Sequence, residues 1–350
     1  MIKKKEKVVC AMSGGVDSSV AAFLLKKQGY EVVGIHLKLV DQTLVGKSFR
    51  EDEERAKKVA KILKIPLHIL DLRKIFYKEI IQRFILEVKK GYTPNPCVYC
   101  NKQIKFGVLL QKALSLGGNF LATGHYARKE RLKNKNAFRL LKAKDKKKDQ
   151  SYFLWKLNQE QLKKIIFPLG DLDREEVEQI AKKNKLPVLE RRKSVELCFV
   201  PDKMEDFLKE NIGVKKGKIL DDKGRFLGWH NGVWFYTLGQ RKGIKLAGGP
   251  YYVLEKNIKE NVLIVTKDKE KIYKKNFYVR QVNWILPSKI NFPLKVKTRV
   301  RYRQKEQFSL LTEENGKLKV VFLGSGQVVV PGQSAVFYQG KELLGGGVID

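Results

Sequence analysis

Residues 8–19 read Val-Val-Cys-Ala-Met-Ser-Gly-Gly-Val-Asp-Ser-Ser, and this stretch decides the fold. Its first five residues are apolar and predict a short buried strand. Gly14 and Gly15 predict a tight turn, and the apolar spacing that continues to Gly29 predicts a helix. The stretch therefore forms one β-α unit.

Outward from this unit, strands and helices continue to alternate. Strands are predicted at 31–39, 67–72 and 120–122, and helices at 50–63 and 74–89. Such alternation predicts an α/β fold with a doubly wound parallel sheet. Ligands of these sheets bind beyond the carboxyl ends of the strands.

The pattern changes after about residue 200. Turn signals at 221–224, 231–232 and 248–250 separate short runs and predict a small mixed middle domain. From about residue 276 the runs are typical of antiparallel strands, with a hairpin turn at Asn315-Gly316, and predict a small β-barrel. The predicted organisation is an α/β domain at 1–200, a central domain at 201–275 and a C-terminal β-barrel at 276–350.

The composition indicates a polyanionic partner. The 350 residues contain 72 lysines and arginines against 37 acidic residues, and the net charge of +35 makes nucleic acid the first candidate. A lysine-rich surface that is merely solvated is the alternative. No apolar run approaches a membrane span, and the run at 8–12 is too short for an export signal. We therefore expect a cytoplasmic protein whose four cysteines are reduced.

The loop at 13–19 is a predicted phosphate site. Its glycines let backbone N–H groups converge on an anion, the helix that follows adds its positive dipole end, and Ser18 and Ser19 add hydroxyl donors. A serine-rich turn without a ligand is the alternative. The loop lacks the Walker and dinucleotide patterns. It resembles the pyrophosphate loop of the ATP pyrophosphatases, which include GMP synthetases, NAD synthetases and tRNA-modifying enzymes.

Three cysteines form the second constellation. Cys97 and Cys100 lie three residues apart in a segment with two prolines, which predicts an exposed, stiff loop, and Cys198 follows much later. Incidental spacing is the alternative. If the phosphate loop adenylates a substrate, a thiolate or persulfide could attack the carbon that carries the AMP leaving group. Cys10 lies in an apolar strand and is predicted to be a core residue.

Six separated motifs resemble the bacterial tRNA-specific 2-thiouridylases of the MnmA family. The resemblance covers nearly the whole chain. The motifs occur in family order at 13–19, 93–106, 122–126, 148–153, 237–243 and 331–335.

The resemblance implies a reaction. ATP, with Mg²⁺, would adenylate O2 of the wobble uridine in the tRNAs for Lys, Glu and Gln, with release of pyrophosphate. Cys198 would receive sulfur as a persulfide from a donor protein, a cysteine desulfurase or a relay protein, and the persulfide would attack C2. Cys100 would be the nucleophile that forms a disulfide with Cys198, leaving 2-thiouridine and AMP.

The resemblance also implies site residues. Its ATP-binding residues are Ala11, Met12, Ser13, Gly14, Gly15, Val16, Asp17, Ser18, Leu37 and Gly124. Its tRNA-binding residues are Asn95, Pro96 and Cys97 at the target base, and Lys148, Asp149, Gln150, Arg301, Tyr302 and Gln333 elsewhere. His125 follows a predicted strand and is interpreted as a nucleotide or tRNA contact, with a purely structural role as the alternative.

One position departs from the family pattern. Some members carry aspartate where this chain has Cys97, and a thiol with a pKa near about 8.5 is a poor substitute for a carboxylate. Thiolates are also the standard ligands of iron–sulfur clusters. Cys97, Cys100 and Cys198 are therefore hypothetical ligands of a [4Fe-4S] cluster with one open iron.

Basic segments are the remaining signal. Residues 294–303 alternate and predict one strand face with five cations, Lys295, Lys297, Arg299, Arg301 and Arg303. This stripe suits a phosphate backbone, and a solvated barrel face is the alternative. The run 142–148 is predicted to be a loop that orders with RNA. The rival functions are a small-molecule synthetase of the GMP or NAD type and a non-catalytic RNA-binding protein.

Overall fold

The computed structural model describes residues 5–40, 48–133, 136–187, 197–200, 203–287 and 290–350. Seven strands belong to the first part of the chain: β1 (Lys7–Ala11), β2 (Glu31–Lys38), β3 (Leu67–Asp71), β4 (Phe120–Ala122), β5 (Ala127–Arg131), β6 (Phe138–Lys142) and β7 (Ile165–Ile166). Five of them form a parallel sheet in the order β3-β2-β1-β4-β7. Strands β2 and β3 extend the sheet on one side of β1, and β4 and β7 extend it on the other. The strand order therefore reverses between β1 and β4, and a ligand crevice is expected at this point.

Helices cover both faces of this sheet. They are α1 (Val16–Lys27), α2 (Ser48–Leu63), α3 (73–89), α4 (96–115), α5 (Gln159–Lys163) and α6 (Arg174–Lys183). Adjacent strand residues point to opposite faces, so Val9 packs in one apolar cluster and Val8 in the other. These elements confirm the predicted doubly wound α/β fold.

Two of the helices contain π-helical turns. The turns are Tyr77–Gln82 in α3 and Cys100–Val108 in α4. The prediction of an exposed loop around the cysteine pair is wrong, because Pro96 starts α4 as its first residue. Proline is well tolerated there, since the first helical N–H has no partner within the helix.

The middle part of the chain is a small mixed sheet, as predicted. Helix α7 (Met204–Ile212) precedes β8 (Gly217–Asp221), β9 (Phe226–His230), β10 (Tyr252–Asn257) and β11 (Val262–Thr266). The order is β10-β11-β8-β9, and only the β11–β8 pair within it is parallel. Its core contains the fully buried Ile219, Val253 and Leu263.

The last part is a closed antiparallel barrel, which confirms the prediction. Its strands are β12 (Asn276–Trp284), β13 (Leu294–Arg299), β14 (Gln307–Glu314), β15 (Lys317–Phe322), β16 (Ser334–Gln339) and β17 (Glu342–Ile349). Strand β12 pairs with both β15 and β17, which closes the barrel. Asn315 and Gly316 turn the predicted hairpin with φ of 51° and 71°.

The hairpin β5–β6 joins the first part of the chain to the barrel. Strand β6 pairs with β17, so the barrel sheet continues into a hairpin that follows the parallel sheet in sequence. The sequence analysis did not predict this hairpin. Within the described residues, no helix is both long and apolar enough to cross a membrane.

Candidate functional site

The loop after β1 is held in shape by its own serines. The Ser18 hydroxyl donates to the Gly15 carbonyl and accepts from the Ser13 N–H, both at 3.1 Å. The Ser19 hydroxyl donates to the same Gly15 carbonyl at 2.8 Å. These two hydroxyls therefore support the loop, and the backbone N–H groups remain its main means of contacting an anion.

Glycines bring this loop into close contact with its neighbours. Gly14 has a φ of 79°, and a Cβ there would lie 2.2 Å from the carbonyl oxygen of Asp52 in α2. A Cβ at Gly124, just after β4, would lie 2.9 Å from the backbone of Asp17 and Ser18. Of the predicted ATP-binding residues, Ala11 and Leu37 lie at the carboxyl ends of β1 and β2, 12–18 follow β1 and Gly124 follows β4, so all lie at one edge of the sheet.

Asp17 is fixed by two partners that the sequence analysis did not identify. Its carboxylate accepts from the Tyr126 hydroxyl at 2.8 Å and pairs with the Arg174 guanidinium. Arg174 starts α6 and also pairs with Glu178 at 2.7 Å. Burial raises the pKa of Tyr126, and the Asp17 charge adds to the rise. The start of α1 is thereby tied to α6.

Cys100 packs in one apolar cluster with Phe199 and Val200, the residues that follow Cys198, so the fold brings the three predicted thiols into one region. Burial raises the pKa of Cys97 to about 11, and the neighbouring thiol of Cys100 adds to the rise. Burial raises the pKa of Cys198 to about 12, and the thiols of Cys100 and Cys97 both add to it. The fold therefore brings two distant segments of the chain into electrostatic reach.

The thiols differ in access. Cys100 is buried, with 8% of its surface exposed, and burial raises its pKa. Cys198 is accessible to solvent even though dense protein around it disfavours its thiolate. All four cysteines are free thiols in this structure. Cys10 is fully buried in β1, as predicted.

Lys105 is a site residue that the sequence analysis missed. It lies in the π-helical part of α4. Burial raises the pKa of Cys97, Cys100 and Cys198, and the positive charge of Lys105 acts in the opposite direction at each thiol. The Lys105 ammonium donates to Nε2 of His125 at 3.4 Å. The signal for Lys105 in the sequence was a second lysine, Lys102, three residues earlier in the 93–106 motif.

His125 is a buried, neutral residue. Because Lys105 can only donate, Nε2 accepts, and Nδ1–H donates to the Thr123 hydroxyl at 2.8 Å. Burial, and then the Lys105 charge, holds the pKa of His125 well below its usual value. The ring packs against Phe106 and Phe167. His125 therefore links Lys105 to the Gly124 segment beside the phosphate loop.

The segment before Cys97 is held by all three parts of the chain. The Thr93 N–H donates to the Pro331 carbonyl at 2.9 Å, and Gln333 Nε2 donates to the Thr93 carbonyl at 2.7 Å. Thr93 also contacts the Thr237 hydroxyl at 3.5 Å. Asn95 is buried. Gln333, predicted to lie near tRNA, thus uses its amide to hold this segment.

Two of the three residues at 148–150 have internal partners. Asp149 is buried and accepts from the Ala143 N–H at 3.1 Å and the Ser151 hydroxyl at 3.0 Å. Gln150 Oε1 accepts from the Tyr126 N–H at 3.0 Å. Lys148 is exposed. Of these three, Lys148 is the side chain most open to a nucleic acid.

The run 142–148 begins at the last residue of β6 and continues as a turn-rich loop in which several side chains have internal partners. Lys142 pairs with Glu306 at 2.7 Å and Lys144 with Glu176 at 2.9 Å. Asp145 accepts from the N–H groups of Lys147 and Lys148 at 2.8 and 3.1 Å. Ion pairs and a carboxylate-capped turn therefore order this basic run.

The predicted cationic stripe is shorter than expected. Strand β13 ends at Arg299, so Arg301 and Arg303 lie in the following turn, where both are exposed. Arg299 points inward and contacts Glu306 at 2.7 Å and Asp149 at 3.4 Å. These carboxylates draw it away from the surface.

An aromatic side chain accompanies the lysines that remain on this face. Phe308 is 54% exposed, and the ammonium groups of Lys295 and Lys297 lie 5.5 and 4.9 Å from its ring centroid. Tyr302 packs on Phe153 with ring centroids 4.5 Å apart. This face offers cations together with an exposed aromatic ring.

No metal-binding arrangement accompanies the thiols. Among the residues that the structure describes, no group of three or more His, Cys, Asp or Glu side chains is placed to hold a metal ion. No reaction step is derived through a 4Fe–4S cluster at Cys97, Cys100 and Cys198.

Comparison with solved structures adds little. The U34-tRNA thiolase NcsA from Methanococcus maripaludis with its [4Fe-4S] cluster matches 61% of this chain and 69% of its own at 21% identity, with a TM-score of 0.37. A similarity at this level carries no argument about a cluster.

Comparison with protein families and curated relatives is decisive. Three family models match: tRNA methyl transferase HUP domain at 6–202, tRNA methyl transferase PRC-barrel domain at 205–267 and Aminomethyltransferase beta-barrel domain at 274–349. The tRNA-specific 2-thiouridylase MnmA 1 of Caldanaerobacter subterraneus subsp. tengcongensis is 44% identical over 98% of each chain. The tRNA-specific 2-thiouridylase MnmA 2 of Thermoanaerobacter sp. is 42% identical, again over 98% of each chain. The chain therefore belongs to the MnmA family of tRNA-specific 2-thiouridylases.

Proposed function

We propose that this protein is an ATP-dependent tRNA-uridine 2-sulfurtransferase that converts the wobble uridine of tRNA to 2-thiouridine. The observation that carries the proposal is that the Cys198 segment packs in the same apolar cluster as Cys100, near Cys97, in the same molecule as the phosphate loop. Residues 1–200 would perform catalysis, 201–275 would act as an adaptor and 276–350 would contact tRNA. A GMP or NAD synthetase has no use for two converging thiols.

The first step would be adenylation. The loop at 13–15 and the N-terminus of α1 offer N–H groups and a positive dipole end to the phosphates of ATP, with Mg²⁺ as the counter-ion. Leu37 lies at the end of β2, on the side of the crevice expected for the adenine. Oxygen O2 of the uridine would attack the α-phosphate, which releases pyrophosphate and leaves C2 with an AMP leaving group.

The second step would be sulfur transfer. A donor protein, a cysteine desulfurase or a relay protein, leaves Cys198 as a persulfide. The terminal sulfur attacks C2, a carbon–sulfur bond forms, and AMP departs with the oxygen. The thiolate of Cys100 then attacks Sγ of Cys198, a disulfide forms, and the electron pair of the broken S–S bond stays on the sulfur of 2-thiouridine. A thiol reductant restores both cysteines.

The exposure of the thiols matches these roles. Cys198 is accessible to solvent, so a second protein can reach it. Cys100 is buried beside it and is protected from such a partner. Cys198, which must meet the donor protein, is thus accessible. Cys100, which attacks Cys198 to release the sulfur, is buried.

The tRNA would lie across the cysteine segment and the barrel. Asn95, Pro96 and Cys97 precede Cys100 and would contact the target base. His125 would line the pocket that holds this base. Lys148, Arg301 and Lys295 are exposed cations that suit a phosphate backbone, and the half-buried Lys297 lies beside Lys295 at the Phe308 ring. Stacking on an aromatic ring would add affinity for unpaired bases.

Nucleoside mass spectrometry of unmodified tRNA treated with ATP and a persulfide donor tests this function. We expect a 2-thiouridine peak from the wild-type protein. Cys198→Ala and Cys100→Ala should abolish it while tRNA binding persists, whereas Cys10→Ala removes a buried thiol that packs in a different apolar cluster from Cys100 and should retain it. Thiolation by Cys198→Ala would refute the assigned chemistry.

Cluster-dependent transfer is a separate hypothesis for the same thiols. Its test is anaerobic purification followed by iron and sulfide analysis. Iron-free protein that is fully active with a persulfide donor excludes a cluster. Four irons per chain, lost together with activity on chelation, would replace the persulfide route.

A further inference from the structure

The π-helical part of α4 determines which side chains face the thiols. A π-helix has about 4.4 residues per turn, so residues five apart lie about 50° apart around its axis, against about 140° in an α-helix. Cys100 and Lys105 are five apart and both lie within the π-helical segment Cys100–Val108. The π turns therefore rotate Lys105 onto the face that carries Cys100.

His125 holds the Lys105 side chain in this position. The ammonium donates to Nε2 of His125, and the imidazole is itself fixed by Thr123, Phe106 and Phe167. His125 follows Gly124, which packs on the backbone of the phosphate loop. Lys105 is thus anchored beside the phosphate loop while its charge reaches all three thiols.

This region needs a positive charge. Burial disfavours the thiolate at Cys97, Cys100 and Cys198, and Cys97 and Cys100, which lie in the same region as the Cys198 segment, disfavour the Cys198 anion further. Yet sulfur transfer passes through anionic sulfur, because the thiolate and the ionised persulfide are the attacking species. Lys105 acts in the opposite direction at each thiol.

We propose that the Lys105 ammonium, anchored on His125, is the positive charge that attracts and stabilises anionic sulfur at Cys100 and Cys198 during transfer. The proposal rests on the proposed function for the reaction that it serves. Lys105 acts through the two cysteines, so it is a positioning residue for the sulfur step and not for adenylation.

The local charge can be measured without any thiolation assay. Iodoacetate is an anion and iodoacetamide is neutral, so the ratio of their alkylation rates at Cys198 reports the electrostatic potential there, and the thiolate fraction cancels. Peptide mapping by mass spectrometry resolves Cys198 from the other cysteines. We expect Lys105→Met to lower the iodoacetate-to-iodoacetamide ratio about three- to tenfold.

Matched variants separate charge from structure. Lys105→Arg keeps the charge and should keep the ratio near the wild-type value. Lys112→Met removes an exposed lysine from the last part of the same helix and should leave both ratio and activity unchanged. An unchanged ratio in Lys105→Met, with the protein folded by circular dichroism, overturns the proposal whatever the reaction of the enzyme.

The activity of the same variants identifies the affected step. Lys105→Met should release pyrophosphate with unmodified tRNA at the wild-type rate, while the kcat for 2-thiouridine falls about 10- to 100-fold and Lys105→Arg recovers most of it. An equal loss of pyrophosphate release would assign Lys105 to ATP and refute its role at sulfur. Absence of 2-thiouridine from the wild-type protein would instead refute the proposed function and leave the alkylation result standing.

Discussion

At the scale of single residues, Gly14 is the strictest position in the phosphate loop. Its left-handed φ of 79° and the collision that a Cβ would make with the Asp52 carbonyl both exclude a side chain. Gly117 has almost the same φ, 77°, with nothing within 4 Å. A comparison of substitutions at the two glycines therefore separates the free-energy cost of the backbone conformation from the cost of a steric collision.

We expect Gly117→Ala to lower the free energy of unfolding by about 1 kcal/mol, the cost of left-handed backbone alone. Gly14→Ala should cost about 2 kcal/mol more and abolish ATP binding, because the loop must move away from α2. Urea denaturation and ATP titration calorimetry measure both effects. Equal losses in the two variants would show that the contact with Asp52 is not restrictive.

His125 gives the protein a sensitivity to acid. Burial and the Lys105 charge lower its pKa in the folded state, whereas an unfolded histidine titrates near about 6.5. Below that pH the unfolded chain binds a proton that the folded chain does not, so the free energy of unfolding falls as pH falls, by up to about 1.4 kcal/mol per pH unit.

His125→Gln keeps an acceptor for Lys105 but cannot titrate. We expect its stability to depend less on pH between 6.5 and 5 than that of the wild type, as measured by urea denaturation at each pH. His68→Gln, at an exposed histidine of β3, is the control and should follow the wild type. Parallel curves for His125→Gln and the wild type would contradict the assignment.

Residue types were predictable where the chemistry lies in one short motif. The phosphate loop and the thiols were visible because glycine, serine and cysteine at fixed spacing have few other uses. Lys105, Tyr126 and Arg174 were not, because each owes its role to a partner elsewhere in the fold; Tyr126 and Arg174 are 109 and 157 residues from Asp17. The local signal for Lys105, a second lysine three residues earlier in the 93–106 motif, is weak in a chain with so many lysines.

At the scale of elements, strand β13 carries two cations with opposite roles. Arg299 is inserted between Asp149 and Glu306, and the Asp149 carboxylate is buried. Lys297 lies two residues earlier, beside the exposed ring of Phe308. A single strand thus contains one structural cation and one surface cation.

Arg299→Met should lower the free energy of unfolding by about 3 kcal/mol, because Asp149 would remain buried without its cation. Lys297→Met, two residues away on the same strand, should change it by less than about 0.5 kcal/mol. Thermal and urea denaturation of the two variants measure the contrast. A small effect at Arg299 would mean that the Ser151 and Ala143 hydrogen bonds are enough to hold Asp149.

Elements were predictable from periodicity where apolar runs were strong, as in β1, β2 and α2. Helix α4 was predicted as a loop because Pro94 and Pro96 are turn signals, although Pro96 is also a favoured first helical residue. The hairpin β5–β6 was missed because Ala127–Arg131 is mostly charged and its neighbour β17 lies about 200 residues later. Register across such a separation cannot be read from one strand.

At the scale of the whole molecule, the net charge of +35 should make tRNA affinity strongly dependent on salt. Each cation that meets a phosphate releases a counter-ion, so the logarithm of affinity falls linearly with the logarithm of salt concentration. The barrel face with Lys295 and Lys297 is the surface to test.

Lys295→Gln with Lys297→Gln should reduce this slope by about 1.5 to 2 in tRNA titrations across a salt series. Lys58→Gln with Lys61→Gln removes the same charge from exposed positions of α2 and should reduce it far less. Equal reductions by both double variants would assign the effect to net charge and not to the barrel face.

The three-part architecture was predictable because each part has its own pattern of apolar spacing and turn residues. How the parts meet was not, since contacts such as Thr93 with Pro331 and Thr237 join positions that share no local pattern. Those contacts decide where the cysteine segment lies.

The contacts of Thr93 with Pro331, Gln333 and Thr237 have an evolutionary consequence. The peptide that leads into Cys97 and Cys100 takes its shape from hydrogen bonds supplied by the barrel and a contact with the middle sheet. An ancestor without either part would have lacked contacts that position the start of its cysteine-bearing helix. We therefore expect chimeras that exchange barrels between relatives to stay active only when residues 331–333 and the cysteine segment come from the same parent.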